Sequence, residues 1–172
     1  MGLFVFVFKN TGLKGEGKSF MEWTTHALSG VATGYLITND WKGAVAGGVA
    51  SVIPDLDEPR SKFGKPFFFI SIPLNKLVGH RTLTHSMLFA LSIGLIGLIV
   101  FDFQIATALF VGLLAHIVGD MITGKVQLLF PLQTKVGLKV SRINYILIDR
   151  IVRVALLIFV ALTIYKDVTM MI

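Results

Sequence analysis

The hydrophobic and polar positions of the chain alternate in long blocks. Residues 25–37 are apolar and rich in small side chains, and Asn39-Asp40 breaks the run with a turn signal. Residues 43–53 repeat the pattern and stop at Pro54. Both stretches predict helices short of the about 20 residues that a full membrane span needs. Their Gly, Ala and Ser content permits close packing inside a bundle. Residues 84–101 and 105–122 are continuous apolar runs that predict two spanning helices, joined by the turn Asp102-Phe103-Gln104. A third apolar span covers residues 151–165 and begins a little earlier. Residues 55–81 and 123–150 form long basic connections, the first holding an apolar patch at 66–73 suited to the membrane interface. The pattern predicts an all-α integral membrane bundle of about five membrane segments, the first two short.

Residues 1–20 read differently. An apolar run at 2–8 precedes a Lys/Gly stretch at 9–18, the reverse of the charge order in a signal peptide. Phe6 stands where N-myristoylation at Gly2 would want Ser or Thr. With Met21 as an alternative start, residues 1–20 are expected to be an extension and 21–172 the membrane-embedded domain.

Composition sharpens this picture. The chain is 54% hydrophobic and only 15% charged, against roughly 25% charged in soluble domains. It has no cysteine, which excludes disulfides and thiolate ligands. The net charge of +6 sits in loops and not on an aromatic-basic face, so nucleic acid is not an expected partner and the lipid bilayer is. Lys9, Lys14 and Lys18 precede the first helix, and the two richly basic connections follow the second and fourth. The turns at 39–42 and 102–104 hold only Lys42. Basic loops mark the cytoplasmic side, which places the amino terminus inside and the carboxyl terminus outside.

That topology brings the candidate chemistry to one boundary. His26 opens the first helix, His80 and His85 flank the start of the third, and His116 lies near the inner end of the fourth, one turn before Asp120. Asp55 and Asp57 follow the second helix, and Asp149 precedes the fifth. Imidazole and carboxylate are ligands for zinc, iron or manganese. His116 and Asp120, at i and i+4, project from one helix face. An extended Asp55-Leu56-Asp57 would put both carboxylates on one side. His80 and His85 cannot share a face of one helix, so His80 is expected before it, with Thr82 or Thr84 near the cap. Taken singly, His26 reads equally as an interfacial histidine, Asp55 and Asp57 as turn residues, Arg81 as a membrane-flank anchor, and Asp149 as a surface partner of Arg150 or Arg153. Ionisable groups inside an apolar span, as at His116 and Asp120, are costly and usually functional. The joint placement of all four histidines favours a divalent-metal site.

The ordered elements Thr25-His26, Pro54-Asp55-Leu56-Asp57, Gly79-His80-Arg81-Thr82-Leu83-Thr84-His85-Ser86 and His116-Ile117-Val118-Gly119-Asp120 resemble those of the YdjM-like family of bacterial inner-membrane proteins, described as membrane-bound metal-dependent hydrolases. The likeness runs from Met21 to about Arg153, and the G-H-R-x-x-T-H-S element is its most specific part. It implies a polar site of His26, Asp55, Asp57, His80, His85, His116 and Asp120 in a protein of the bacterial inner membrane; the loop charges, independently, put that site on the cytoplasmic side. The family often has a glutamate ahead of the last helix; Asp149 occupies that place here.

On this reading one or two divalent ions, zinc above manganese or iron, would activate a water for attack on a lipid ester or phosphoester. Asp57 or Asp120 would serve as general base and Arg81 would hold an anionic group of the substrate. Two other readings stand beside it: an ion transporter, and a non-catalytic protein with a structural or regulatory metal.

Overall fold

A computed structural model describes residues 21–170, so the reading of residues 1–20 lies outside the described residues. Among the described residues the chain is all-α: α1 (Trp23–Thr38), α2 (Trp41–Ala50), α3 (Phe68–Val78), α4 (Met87–Val100), α5 (Phe103–Thr123) and α6 (Arg142–Met170), with 3-10 turns at Pro54–Asp57 and Leu83–His85. The polar breaks in the sequence become caps. Asn39 ends α1 at φ 51°, and Asp40 opens α2 by accepting from the Lys42 N–H. Asp102 accepts from the Ile105 N–H at the start of α5. Each cap satisfies helix-end groups that would otherwise lack partners.

The centre is a tight packing of α1, α2 and α5, with α4 laid against α5 and α6 against α1. Small residues make this contact possible. A Cβ on Gly112 of α5 would collide with the Gly47 carbonyl of α2, and one on Gly30 of α1 would collide with the same carbonyl. Ala50, Ala90, Leu113, Ile117 and Val126 form the buried apolar core. The outward faces stay apolar: Leu95, Ile99, Phe103, Ile143 and Leu162 are all exposed. One helix among the described residues, α5 with 21 residues, is long and apolar enough to cross a membrane.

Several local expectations change. Residues 55–57 are a 3-10 turn and not extended, because Pro54 opens a tight helical turn directly after α2. The cap of α4 is Ser86, which accepts from the Phe89 N–H, and not Thr82 or Thr84. The apolar patch at 66–73 continues as the 11-residue α3 through Pro73, and α6 begins at Arg142, ahead of its apolar portion. Residues 124–136 fold under the site: Val126 and Val136 exchange N–H···O bonds of 2.9 Å, the Gln127 N–H donates to the Arg81 carbonyl at 3.0 Å, and the Met87 N–H donates to Leu128.

Candidate metal centre

Four segments that are remote in sequence deliver the predicted residues to one end of the bundle. His26 comes from the first turns of α1, Asp55 and Asp57 from the turn after α2, His80 to His85 from the segment before α4, and His116 with Asp120 from α5. His26, Asp57, His85 and His116 are fully buried, and Asp120 nearly so.

Asp57 organises the segment before α4. Its Oδ1 accepts from His80 Nδ1 at 2.5 Å, and its Oδ2 accepts from the Arg81 backbone N–H at 3.1 Å and from the Thr84 hydroxyl. The Thr84 oxygen in turn accepts from His85 Nδ1 at 2.9 Å, and His85 Nδ1 lies 3.3 Å from Asp57. Both carboxylate oxygens are therefore engaged, and His85 is held with its Nε2 facing inward. Burial pushes the Asp57 carboxyl up, but His85 and His80 together outweigh it and hold the group below the usual carboxylate range.

His116 is fixed the same way from the other side. Its Nδ1–H donates to the Ser51 carbonyl at 2.5 Å, which turns Nε2 toward His85 Nε2 at 3.1 Å. Asp120 Oδ2 stands 3.1 Å from His85 Nε2 and 3.7 Å from His116 Nε2, and Asp55 Oδ1 lies 3.9 Å from His116 Nε2. His26 stacks on His116 with centroids 3.8 Å apart, and its Nε2 is 3.4 Å from Asp120. The consequence is electrostatic. A carbonyl only accepts, so neutral His116 points a lone pair inward, and the Thr84–Asp57 relay makes neutral His85 do the same. Two imidazole lone pairs and a carboxylate oxygen then converge on one buried point. A donor or a cation at that point relieves this: a proton, a water O–H or a metal ion. In the metal-free chain burial lowers the affinity of His85 for a proton, yet Asp57 and Asp120 outweigh this and carry its pKa up to about 9.

The donor set fits a metal. His26, His116 and Asp120 form one group, and Asp55, His85 and His116 a second, each with ligand atoms within 4.8 Å of one another. The buried His26 Nδ1 has no hydrogen-bond partner, and Nε2 is the nitrogen that faces Asp120. Nitrogen and oxygen donors without sulfur suit a divalent first-row ion. Of the seven predicted ligands, His26, Asp55, His85, His116 and Asp120 fall in these groups. Asp57 and His80 do not, and stand one layer out as the support of His85.

Arg81 has φ 61°, a left-handed conformation that non-glycine residues rarely hold. The loop beneath fixes it there, and its Nη2 pairs with Asp120 Oδ1 at 2.6 Å. Burial pulls the guanidinium pKa down against the attraction of Asp120. A pocket of about 210 Å³ opens over Asp55, His80 and Arg81 and is rimmed by Trp23, Arg60 and Lys62. Burial also raises the Asp55 carboxyl above its ordinary range, only partly offset by His26. Asp149 is buried, accepts from the Glu22 N–H at 2.9 Å, and pairs with Arg153, which also donates to Thr25 beside His26. It braces α1 against α6 and stands outside both ligand groups. The roles of Thr84, the Ser51 carbonyl and the pocket rim went unread in the sequence. The Thr84-His85 adjacency is the one signal that pointed to any of them.

The YvsG protein of Bacillus subtilis (strain 168) is 33% identical over 125 residues, covering 69% of this chain and 78% of its own length. The inner membrane protein YdjM of Escherichia coli (strain K12) is 32% identical over 111 residues, covering 58% of this chain and 55% of its own, and YdjM of Shigella flexneri matches equally. The chain thus spans about half the length of these YdjM relatives. No solved structure matches it. Residues 21–171 match the family described as YdjM inner membrane protein, and the chain belongs to that family.

Proposed function

We propose that the chain is a membrane-bound metal-dependent hydrolase of the bacterial inner membrane. It would act at headgroup depth on an ester or phosphoester. The observation that carries this is the convergence of the His85 and His116 Nε2 atoms with Asp120 and Asp55 at one buried point. Membership of an inner membrane protein family supports the location. The apolar exterior and the loop charges support a bundle of about five membrane segments with the site on the cytoplasmic side.

His116 belongs to both ligand groups, and one imidazole nitrogen ligates one ion. The shared ligand favours a single ion held by His116 with His26 and Asp120, or with Asp55 and His85. Three protein donors leave a coordination position open, as in catalytic zinc sites. Zinc suits the donor set best, with manganese and iron next. A metal held by these residues would supply a bound water far more acidic than bulk water, able to give up a proton near neutral pH. Asp57 is committed to His80 and His85 and serves to orient them. Asp55 lines the pocket and is the carboxylate placed to take a proton from an entering water, with Asp120 the other candidate. Arg81, fixed by its backbone and by Asp120, presents a guanidinium to an anionic group in the same pocket.

The test is a screen of purified protein against labelled phospholipids with zinc, manganese or magnesium. Metal-dependent cleavage, lost in His116→Ala and on chelation, is the expected result. Absence of turnover with every metal and lipid class would remove the hydrolase reading.

A further inference from the structure

The substrate pocket carries charge that the metal centre does not use. Its inner wall is Asp55, His80 and Arg81; its outer rim is Trp23, Arg60 and Lys62. Both rim cations are exposed. Glu58 also lines the pocket but turns its carboxylate to the Arg60 backbone N–H at 3.1 Å, and the Lys62 ammonium lies 5.1 Å over the Trp23 ring. Trp23 is itself braced edge-on by Phe63, with centroids 5.5 Å apart. The opening thus pairs a fixed aromatic wall with cations at two depths, Arg81 buried within and Arg60 and Lys62 at the lip.

Directly after this rim the chain enters α3. At 11 residues it is about 16 Å long, too short for a hydrocarbon core of about 30 Å. Phe67, Phe68, Phe69 and Ile70 at its start are exposed, Ser71 is its one buried residue, Lys62 and Lys65 precede it, and Lys76 lies in its last turn. Apolar residues bordered by lysine describe a helix lying in the membrane interface. With α3 in that position, the pocket lip would lie at the depth of lipid phosphates.

We propose that the Trp23–Arg60–Lys62 rim is a recognition site for the phosphate of an anionic lipid headgroup, which α3 holds at the level of the pocket. The inference rests on the hydrolase reading above and narrows its substrate class to phosphate-bearing lipids. Arg60 and Lys62 are specificity residues in this account, and neither belongs to the ligand groups.

The chain has two tryptophans, so a Trp41→Phe background leaves Trp23 as the sole indole reporter. In that background, detergent-purified protein is titrated with dioctanoyl phosphatidic acid, dioctanoylglycerol and inorganic phosphate, following Trp23 emission. Phosphatidic acid should bind about ten-fold or more tighter than dioctanoylglycerol, and Arg60→Ala/Lys62→Ala should abolish the difference. Both positions are exposed, and circular dichroism with an Arg60→Gln/Lys62→Gln variant checks that the loss follows charge and not folding. Equal affinity for the two lipids, or an unchanged preference in the double variants, would overturn the proposal. Inorganic phosphate binding as tightly as phosphatidic acid would also overturn it, by showing a free-anion site. Metal content is measured on the same samples. Metal-free protein that keeps the charge-dependent preference would sink the metal reading and leave this inference standing. Metal-loaded protein without the preference would do the reverse.

Discussion

His116 and His85 illustrate how much of the centre is decided by second atoms of the same rings. Each imidazole spends its Nδ1 on an outward partner, the Ser51 carbonyl or the Thr84–Asp57 relay, and so has only Nε2 to offer inward. Partners of this kind fix tautomer and ring orientation, and their loss typically weakens metal binding about 10–100-fold without abolishing it. Asp57→Asn is therefore expected to keep the fold and lower metal affinity by about 10–100-fold, read by chelator competition, whereas His116→Ala should remove binding. An unchanged affinity in Asp57→Asn would show that the relay does not position His85. The histidines and aspartates themselves were legible in the sequence, because loop charge alone brought them to one boundary. The division between ligands and supports was not. It depends on the 3-10 turn at Pro54–Asp57, which points Asp55 toward His116 and Asp57 toward His80, where an extended segment would have kept them together.

Helix identity was legible wherever apolar runs were long, as for α4 and α5, and where Asn39-Asp40 supplied both caps between α1 and α2. It failed at α3, where Pro73 interrupts an otherwise helical stretch, and at the start of α6, where Arg142, Asp149, Arg150 and Arg153 break the apolar pattern. Asp149 and Arg153 have a structural purpose that composition does not reveal: they tie the first turn of α1, and with it Thr25 next to His26, to α6. Asp149→Ala leaves the Glu22 N–H and the Arg153 guanidinium short of a partner. It should reduce stability by about 1–3 kcal/mol, measured by chemical unfolding in detergent. A variant with wild-type stability would show that the brace contributes nothing.

At the scale of the whole molecule, the account places the loop after α2 and the loop after α5 on one side of the membrane and the turn between α4 and α5 on the other. Single cysteines can test this, since the chain has none of its own. In intact cells an impermeant thiol reagent added from outside should label Asp102→Cys and spare Lys62→Cys and Lys139→Cys. The opposite pattern would invert the orientation and put the site on the outer face. The central claim, that the buried histidines hold a metal, is tested most directly by elemental analysis of protein purified without chelators or a histidine tag. About one divalent ion per chain is expected for wild type, falling to background in His116→Ala, which both ligand groups share, and in His85→Ala where the ion sits with Asp55. Metal-free wild-type protein, or equal metal in all three, would contradict it.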